Sequence, residues 1–168
     1  MDNRADARDI PIISDDAICL RRMEESELPQ AHEMSGSVDA RDFIIAGSLE
    51  QYRMDYATPD IVYLSITGTE GEADHGELLG YFILVLDPGG KSVECRRIVV
   101  GVKNRGIGKR AMRLLDRYCR EILKRERIWL DVYDFNTRGQ RVYESTGYRF
   151  LRKAVKGDKT LLFYEKLL

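Results

Sequence analysis

The sequence SVECRRIVVGVKNRGIGKRA, residues Ser92 to Ala111, carries the strongest signals for both the fold and the function of this chain. It predicts a strand, a tight basic turn and a helix that begins at Gly106 and Gly108. A helix N-terminus has unpaired backbone N–H groups and the positive end of the helix dipole, and glycines let a ligand approach that backbone closely. Four cations lie around the turn: Lys103, Arg105, Lys109 and Arg110. Because cations are unfavourable beside a helix N-terminus, the segment predicts an anion site for a phosphate group.

Two common phosphate-binding motifs fit this segment poorly. A Walker loop requires Gly-x-x-x-x-Gly-Lys, and Ile107 stands at the lysine position after Gly101 and Gly106. A dinucleotide fingerprint requires its first glycine directly after an apolar strand, whereas the strand here is charged and Gly106 follows Val100 by six positions. The remaining alternative is that the glycine pair only shapes a turn and the basic residues are solvated.

The composition is that of one folded domain. The 168 residues suffice for a single core, and we expect residues 1–14 to form a flexible tail before a domain at 15–168. The acidic, polar N-terminus and the lack of a long apolar run predict a cytoplasmic protein that does not enter a membrane. Three cysteines and two histidines have no metal-ligand spacing, so we expect buried free thiols and no metal site.

Charge is distributed unevenly along the chain. Residues 1–90 hold 6 Lys and Arg against 19 Asp and Glu, whereas residues 91–168 hold 21 against 9. A basic half can attract phosphates or nucleic acid, and an acidic half can attract a cationic substrate. The helix after Gly106 carries a basic stripe, consisting of Arg110, Arg113, Arg117, Arg120 and Lys124. No aromatic residues or nucleic-acid-binding motif accompany this stripe, so binding of nucleic acid is the weaker interpretation.

The hydrophobic pattern predicts a mixed α/β (α+β) fold. Strands are predicted at 18–23, 61–67, 77–86, 92–100, 128–132, 148–155 and 160–168, and helices at 24–34, within 39–56, at 106–125 and at 136–145. The strands at 61–67, 77–86 and 92–100 are expected to form an antiparallel meander. These elements predict a mixed, mostly antiparallel sheet of six to seven strands with helices on both faces.

The chain resembles the GNAT (Gcn5-related N-acetyltransferase) superfamily in two motifs. The acyl-CoA signature [QR]-x-x-G-x-[GA] appears as Lys103-Asn104-Arg105-Gly106-Ile107-Gly108, with Lys at the first position. A second signature is matched by Leu130, Val132, Asn136, Tyr143, Gly147 and Tyr148. Gly139 stands where the family usually has Ala. The order of elements over residues 16–168 is also similar, so the resemblance implies the GNAT fold.

The resemblance implies a set of residues that bind acetyl-CoA. The backbone of Ile98, Val99 and Val100 would lie along the thioester and pantetheine, with Val99 or Val100 donating an N–H to the developing oxyanion. The turn of Lys103, Asn104, Arg105, Gly106, Ile107, Gly108 and Lys109 would bind the pyrophosphate. Asn136 would hydrogen-bond the pantetheine arm, or would act only as a helix N-cap.

Acetyl transfer to an amine also requires proton transfer. An alkylammonium has a pKa near 10 and must lose a proton before it can attack. Glu94 is the first candidate for the general base, with Asp131 and Glu77 as further candidates; alternatively, Glu94 is a strand residue paired with Arg96. Tyr143 matches the family's proton donor to the departing thiolate, or is only a packed aromatic residue.

The resemblance therefore implies an N-acetyltransferase that moves acetyl from acetyl-CoA to a primary amine, directly and within a ternary complex. The acidic residues 24–77 hint at a cationic acceptor. The resemblance also allows a homodimer through the C-terminal strands. Two other functions stay open: a regulatory module that binds acetyl-CoA without turnover, and a nucleic-acid-binding module that uses the basic helix.

Overall fold

One eight-stranded sheet organises the molecule. The computed structural model describes residues 12–37, 40, 42–43, 47–102 and 105–168. The strands are β1 (Ile13–Ser14), β2 (Ile18–Arg22), β3 (Ile61–Gly68), β4 (Leu78–Leu86), β5 (Ser92–Val100), β6 (Arg127–Tyr133), β7 (Arg149–Lys156) and β8 (Lys159–Leu167). Their order in the sheet is β1-β2-β3-β4-β5-β6-β8-β7. Within the described ranges, β5 and β6 are the only parallel neighbours, so the predicted mixed and mostly antiparallel sheet is confirmed.

The eighth strand, β1, lies in the stretch expected to be a tail. Ile13 pairs with Leu20 and Ser14 with Cys19, and the Ile13 side chain is buried in the core. The turn before β2 is closed by Asp15, whose Oδ1 accepts hydrogen bonds from the backbone N–H groups of Ala17 and Ile18, both at 2.8 Å. The sheet therefore begins before residue 15, and residues 1–11 of the expected tail lie outside the described residues.

Helices pack on both faces of the sheet, as predicted. The helices are α1 (Leu28–Ser35), α2 (Leu49–Tyr56), α3 (Ile107–Arg117) and α4 (Thr137–Ser145). The apolar face of α3 packs on the larger core, and a π-helical turn, Tyr118–Ile122, continues that helix. On the other face, α1 and α2 cover a smaller cluster that is rich in tyrosine. Much of 38–46, the predicted site of a further helix, lies outside the described residues.

The parallel strands β5 and β6 stay together for only three residues. Ser92, Val93 and Glu94 pair with Arg127, Ile128 and Trp129, and the pairing ends there. A bulge in β5 follows, since Cys95 lies opposite Leu84 and Arg97 opposite Ile83, which leaves Arg96 as the additional residue. Beyond the bulge the two strands separate, and a cleft opens between them.

A buried ion pair fixes α3 to the C-terminal strands. The carboxylate of Asp116 accepts hydrogen bonds from the Tyr148 hydroxyl at 2.8 Å and from Lys166 Nζ at 2.6 Å. Lys166 also donates to the backbone carbonyl of Thr146 at 2.7 Å. Burial raises the pKa of Asp116, and the hydrogen bonds from Lys166 and Tyr148 oppose that rise. The network therefore ties the helix that begins at the cleft to the end of α4.

Candidate active site

The cleft between β5 and β6 is large enough for an extended ligand. It has a volume of about 830 Å³ and is bounded by both strands, the first turn of α3 and the side of α4. Two predicted site residues, Glu94 and Arg105, do not line it, and Lys103 and Asn104 lie outside the described residues. The predicted site residues that line the cleft are Ile98, Val99, Val100, Gly106, Ile107, Gly108, Lys109, Asn136 and Tyr143.

One end of the cleft is formed by the backbone at the start of α3. Gly106 adopts a left-handed conformation with φ of 68°, which favours glycine, and the helix begins at the next residue. A Cβ atom at Gly108 would meet no protein atom within 4 Å, so packing does not require glycine there. Lys109 in the first turn of α3 lines the cleft, and Arg138 and Arg141 line it from α4. Unpaired N–H groups and cations together are the features that favour an anion at a helix N-terminus.

Arg105 turns away from the cleft. Its guanidinium forms an ion pair with Asp74 at 2.7 Å, and this hydrogen bond lowers the pKa of the Asp74 carboxyl. Asp74 belongs to the acidic loop between β3 and β4, which the sequence analysis associated with a cationic acceptor. The side chain of Arg105 therefore anchors the turn to that loop. The pyrophosphate-binding role that the resemblance implies for Arg105 involves its backbone N–H group.

The open edge of β5 presents backbone donors to the cleft. The N–H of Gly101 donates to the carbonyl of Leu79 at 2.8 Å, which defines the register of β5 against β4. In an antiparallel pair, hydrogen-bonded and non-hydrogen-bonded residues alternate. Val99 therefore bonds β4, whereas the N–H groups of Ile98 and Val100 point toward the open edge. Of the two oxyanion donors that the resemblance offered, this register favours Val100 over Val99.

The side of α4 contributes Asn136 and Tyr143. Asn136 is the N-cap of α4, where its Oδ1 accepts a hydrogen bond from the N–H of Gly139 at 2.9 Å, and it also lines the cleft. Tyr143 is 8% exposed and contacts the rings of Tyr148 and Tyr164. Burial raises the pKa of the Tyr143 phenol, so this hydroxyl stays protonated at neutral pH.

Two carboxylates lie near the point where β5 and β6 separate. Glu94 is half-buried and pairs with Arg96 at 3.5 Å, while Asp131 on β6 is exposed and lines the cleft. Although part of the side chain is exposed, the surrounding protein partly desolvates the carboxyl of Asp131 and raises its pKa, and the charge of Glu94 raises it further. In the sequence, Glu94 was the first candidate for the general base and Asp131 a further one. The pattern of β6 held a signal for its position, because Ile128, Leu130 and Val132 enter the core and leave Asp131 on the opposite face.

The cleft is positively charged overall. Within the part of the chain that the structure describes, Asp131 is the one carboxylate among its lining residues. The cations that line it are Arg96, Arg97, Lys109, Arg138, Arg141 and Lys156. This charge suits a polyanionic ligand that enters from the α3 end.

Acidic residues partly neutralise the basic stripe on α3. Arg110 contacts Asp15 at 3.1 Å and Asp16 at 2.6 Å, and Arg117 contacts Glu121 at 3.3 Å. At Arg110, the acidic N-terminal half therefore neutralises part of the basic C-terminal half, whereas the pair of Arg117 and Glu121 lies within the C-terminal half. In the described ranges, no cluster of three or more His, Cys, Asp or Glu residues could hold a metal ion, and no helix has the length and apolar character to cross a membrane.

Comparison with known proteins agrees with this architecture. The sequence profile of the acetyltransferase (GNAT) family matches residues 38–148, and the chain belongs to this family. A search of curated proteins finds no match. A GNAT-family acetyltransferase from Bacillus anthracis shares the fold with a TM-score of 0.75 and 18% identity, over 94% of this chain and 98% of that one.

Two further structures with the same fold have names that describe their substrates. A spermidine N-acetyltransferase from Vibrio cholerae, in complex with CoA and spermine, has a TM-score of 0.72 and 17% identity, over 89% of this chain and 95% of that one. RimL, a ribosomal alpha-N-protein acetyltransferase, has a TM-score of 0.74 and 15% identity, over 95% of each chain. At these identities the comparisons establish the fold of this chain.

Proposed function

We propose that this chain is an N-acetyltransferase that moves acetyl from acetyl-CoA directly to a primary amine. The observation that carries the proposal is the cleft between β5 and β6, which joins an anion site at α3 to a carboxylate and a protonated phenol. Family membership and the fold of a relative in complex with CoA support acetyl-CoA as the donor.

The α3 end of the cleft fits the phosphates of coenzyme A. The backbone N–H groups at Gly106, Ile107 and Gly108 would bind the pyrophosphate, with Lys109 adding positive charge. The turn at Lys103, Asn104 and Arg105 would complete the binding of the pyrophosphate. Asn136 would hydrogen-bond the pantetheine arm while its Oδ1 caps α4.

The other end of the cleft fits the transfer step. Asp131 or Glu94 takes a proton from the ammonium, and the free amine forms a bond to the thioester carbonyl carbon. The N–H of Val100 or Ile98 donates to the carbonyl oxygen as negative charge develops on it. The C–S bond then breaks, Tyr143 donates a proton to the departing thiolate, and the second proton lost by the nitrogen of the intermediate restores the phenol. Because the amine attacks the thioester directly, no covalent acyl-enzyme is needed. Cys95 also lines the cleft, but burial raises the pKa of its thiol and makes it a poor nucleophile.

A thiol-release assay beside a thermal-shift titration tests this function. Acetyl-CoA should raise the melting temperature in proportion to ln(1 + [L]/Kd), NAD should not, and CoA thiol should appear only when an amine is present. Absence of a shift at millimolar acetyl-CoA would contradict acetyl-CoA binding. A shift without thiol release, over a broad panel of amines, would identify a module that binds acetyl-CoA without turnover.

A further inference from the structure

Among the residues that the structure describes, no helix packs over one face of the part of the sheet formed by β6, β8 and β7. The sheet residues of the cluster beneath α1 and α2 lie on β3, β4 and β5 or directly after β2. Among the described residues, none of its members lies on β6, β8 or β7. Directly opposite residues of neighbouring strands share a face, and Asp131 lies opposite Phe163, which lies opposite Arg152. Trp129 shares the face of Asp131 by alternation along β6. We call the surface of Trp129, Asp131, Phe163, Arg152 and Lys156 the open face.

The open face carries an ordered aromatic stack. The rings of Trp129 and Phe163 are stacked with their centroids 6.2 Å apart, and the Arg152 guanidinium lies 3.8 Å from the centroid of Phe163. Both aromatic side chains are partly exposed. Aromatic residues and arginine that are accessible together are typical of surfaces that bind polypeptides.

The charge of the open face is mainly positive. Glu165, on the same face, is matched by two cations, Arg127 at 2.6 Å and Arg149 at 2.8 Å. Arg152 and Lys156 are exposed, and neither forms an ion pair with a carboxylate in the described ranges of the chain. A polycation would be repelled here, whereas an acidic chain would gain favourable charge contacts.

Asp131 connects the open face to the cleft. It lines the cleft and lies next to Phe163 across the strand pair β6–β8. An amine that approaches Asp131 would therefore place the rest of its molecule over Phe163, Arg152 and Trp129. The acidic residues of the N-terminal half, which hinted at a cationic acceptor, are partly committed to contacts elsewhere, as in the pairs Asp74–Arg105 and Asp16–Arg110.

We propose that the acceptor is the amine of an acidic polypeptide segment whose following residues bind the open face. This inference rests on the proposed N-acetyltransferase function and specifies its acceptor class. Asp131 receives the amine, the Trp129–Phe163 stack contacts apolar or aromatic side chains, and Arg152 and Lys156 bind carboxylates. A polyamine would make only the first of these contacts.

Matched peptides test the proposal. Two peptides of equal length each carry one free N-terminal amine; one continues with Asp, Glu and Phe, and the other has Arg in place of each acidic residue. Wild-type protein should acetylate the acidic peptide with a kcat/KM at least about tenfold above that of the basic peptide and of spermidine. Arg152→Glu should remove this preference, mainly through KM.

A control and a binding signal are available in the same chain. Lys153 lies on the same strand as Arg152 but pairs with Leu162 on the opposite face, so Lys153→Glu should leave the preference unchanged. Trp129 is the single tryptophan, and its fluorescence should change on binding of the acidic peptide with CoA present. Arg152→Glu should raise the peptide concentration for half-saturation about tenfold.

The outcomes separate this proposal from the function on which it rests. Acetylation that prefers spermidine or the basic peptide, or that responds equally to Arg152→Glu and Lys153→Glu, would overturn the acceptor class and leave the N-acetyltransferase function intact. Conversion of a dimer to a monomer by Arg152→Glu would identify the open face as an interface between copies and would also overturn it. No transfer to any amine, despite acetyl-CoA binding, would overturn both.

Discussion

The two ends of the cleft are built from different parts of the chain. At the α3 end, backbone groups around Gly106 and Gly108 form the site, and side chains contribute mainly positive charge. At the β6 end, the candidate chemical groups are side chains from separate elements, Asp131 on a strand and Tyr143 on a helix. A backbone site tolerates changes of side chain that leave its shape intact, whereas a side-chain site is lost with one functional group. The two ends should therefore respond differently to substitution.

The largest effect is expected from Asp131→Asn at the β6 end. Loss of a general base should lower kcat/KM by about 10³-fold. The melting temperature and the affinity for acetyl-CoA should stay near wild type, because Asp131 is exposed and lies away from α3. Steady-state kinetics with saturating acetyl-CoA measures the effect. A larger loss in Glu94→Gln than in Asp131→Asn would instead assign the base to Glu94.

The ion pair of Asp116 and Lys166, which ties α3 to the C-terminal strands, should affect stability more than catalysis. Asp116→Asn leaves the partly buried Lys166 without its counter-charge and should lower the free energy of unfolding by about 3 kcal/mol. The kcat at a temperature where the protein is folded should change little, because Asp116 does not line the cleft. Urea unfolding measures the stability.

A double variant checks the cause of that destabilisation. Asp116→Asn combined with Lys166→Met removes both charges, so it should recover part of the lost stability. If the double variant were less stable than Asp116→Asn alone, the hydrogen bond from Lys166 to Thr146 would be the more important contact.

The α3 end can be tested by two substitutions at one position. Gly108→Glu adds an acidic residue to the first helical turn, which favours the helix, but its carboxylate would occupy the anion site. Acetyl-CoA affinity should fall by about 100-fold without loss of stability, since no protein atom lies within 4 Å of the added Cβ. Gly108→Ala should retain acetyl-CoA binding and stabilise the helix by up to about 1 kcal/mol. Calorimetric titration would separate the two; equal affinities would mean that the turn binds no phosphate.

The α3 end could be predicted from the sequence because its signals are local. The need for glycine at Gly106 and the apolar repeat that starts at Ile107 both lie within a few residues of the turn. Strand β1 could not be predicted, because two residues are too few to show an alternating pattern. It is defined by its pairing with β2. The meander of β3, β4 and β5 was confirmed, since each strand has eight or nine residues, β3 and β4 are mostly apolar, and a turn signal separates β4 from β5.

The β6 end depends on the register between distant strands. Glu94 is the last residue of β5 that pairs with β6, before the bulge at Arg96, and it does not line the cleft. No signal within β5 alone indicates where β6 separates from it. The net charge of each half also did not indicate which acidic residues are paired within the fold. Asp16 contacts Arg110, and Asp74 contacts Arg105, across more than 30 positions in each case. Such contacts follow from the fold and have no pattern in the linear sequence.

The smallest effect expected concerns how the two carboxylates influence each other. Glu94 raises the pKa of Asp131, and a general base acts only when it is deprotonated, so kcat/KM should increase as the pH rises through that pKa. Glu94→Gln removes a negative charge and so lowers the pKa of Asp131. The acidic limb of the profile of kcat/KM against pH should therefore move to lower pH. The shift should be a few tenths of a pH unit, because the pair is partly solvated. Arg96→Gln, which frees Glu94 from its ion pair at 3.5 Å, should move the acidic limb to higher pH.

Both profiles are compared with wild type on one acceptor, so that the titration of the acceptor amine cancels. A shift of the same sign in both variants would contradict a base at Asp131 whose pKa depends on Glu94.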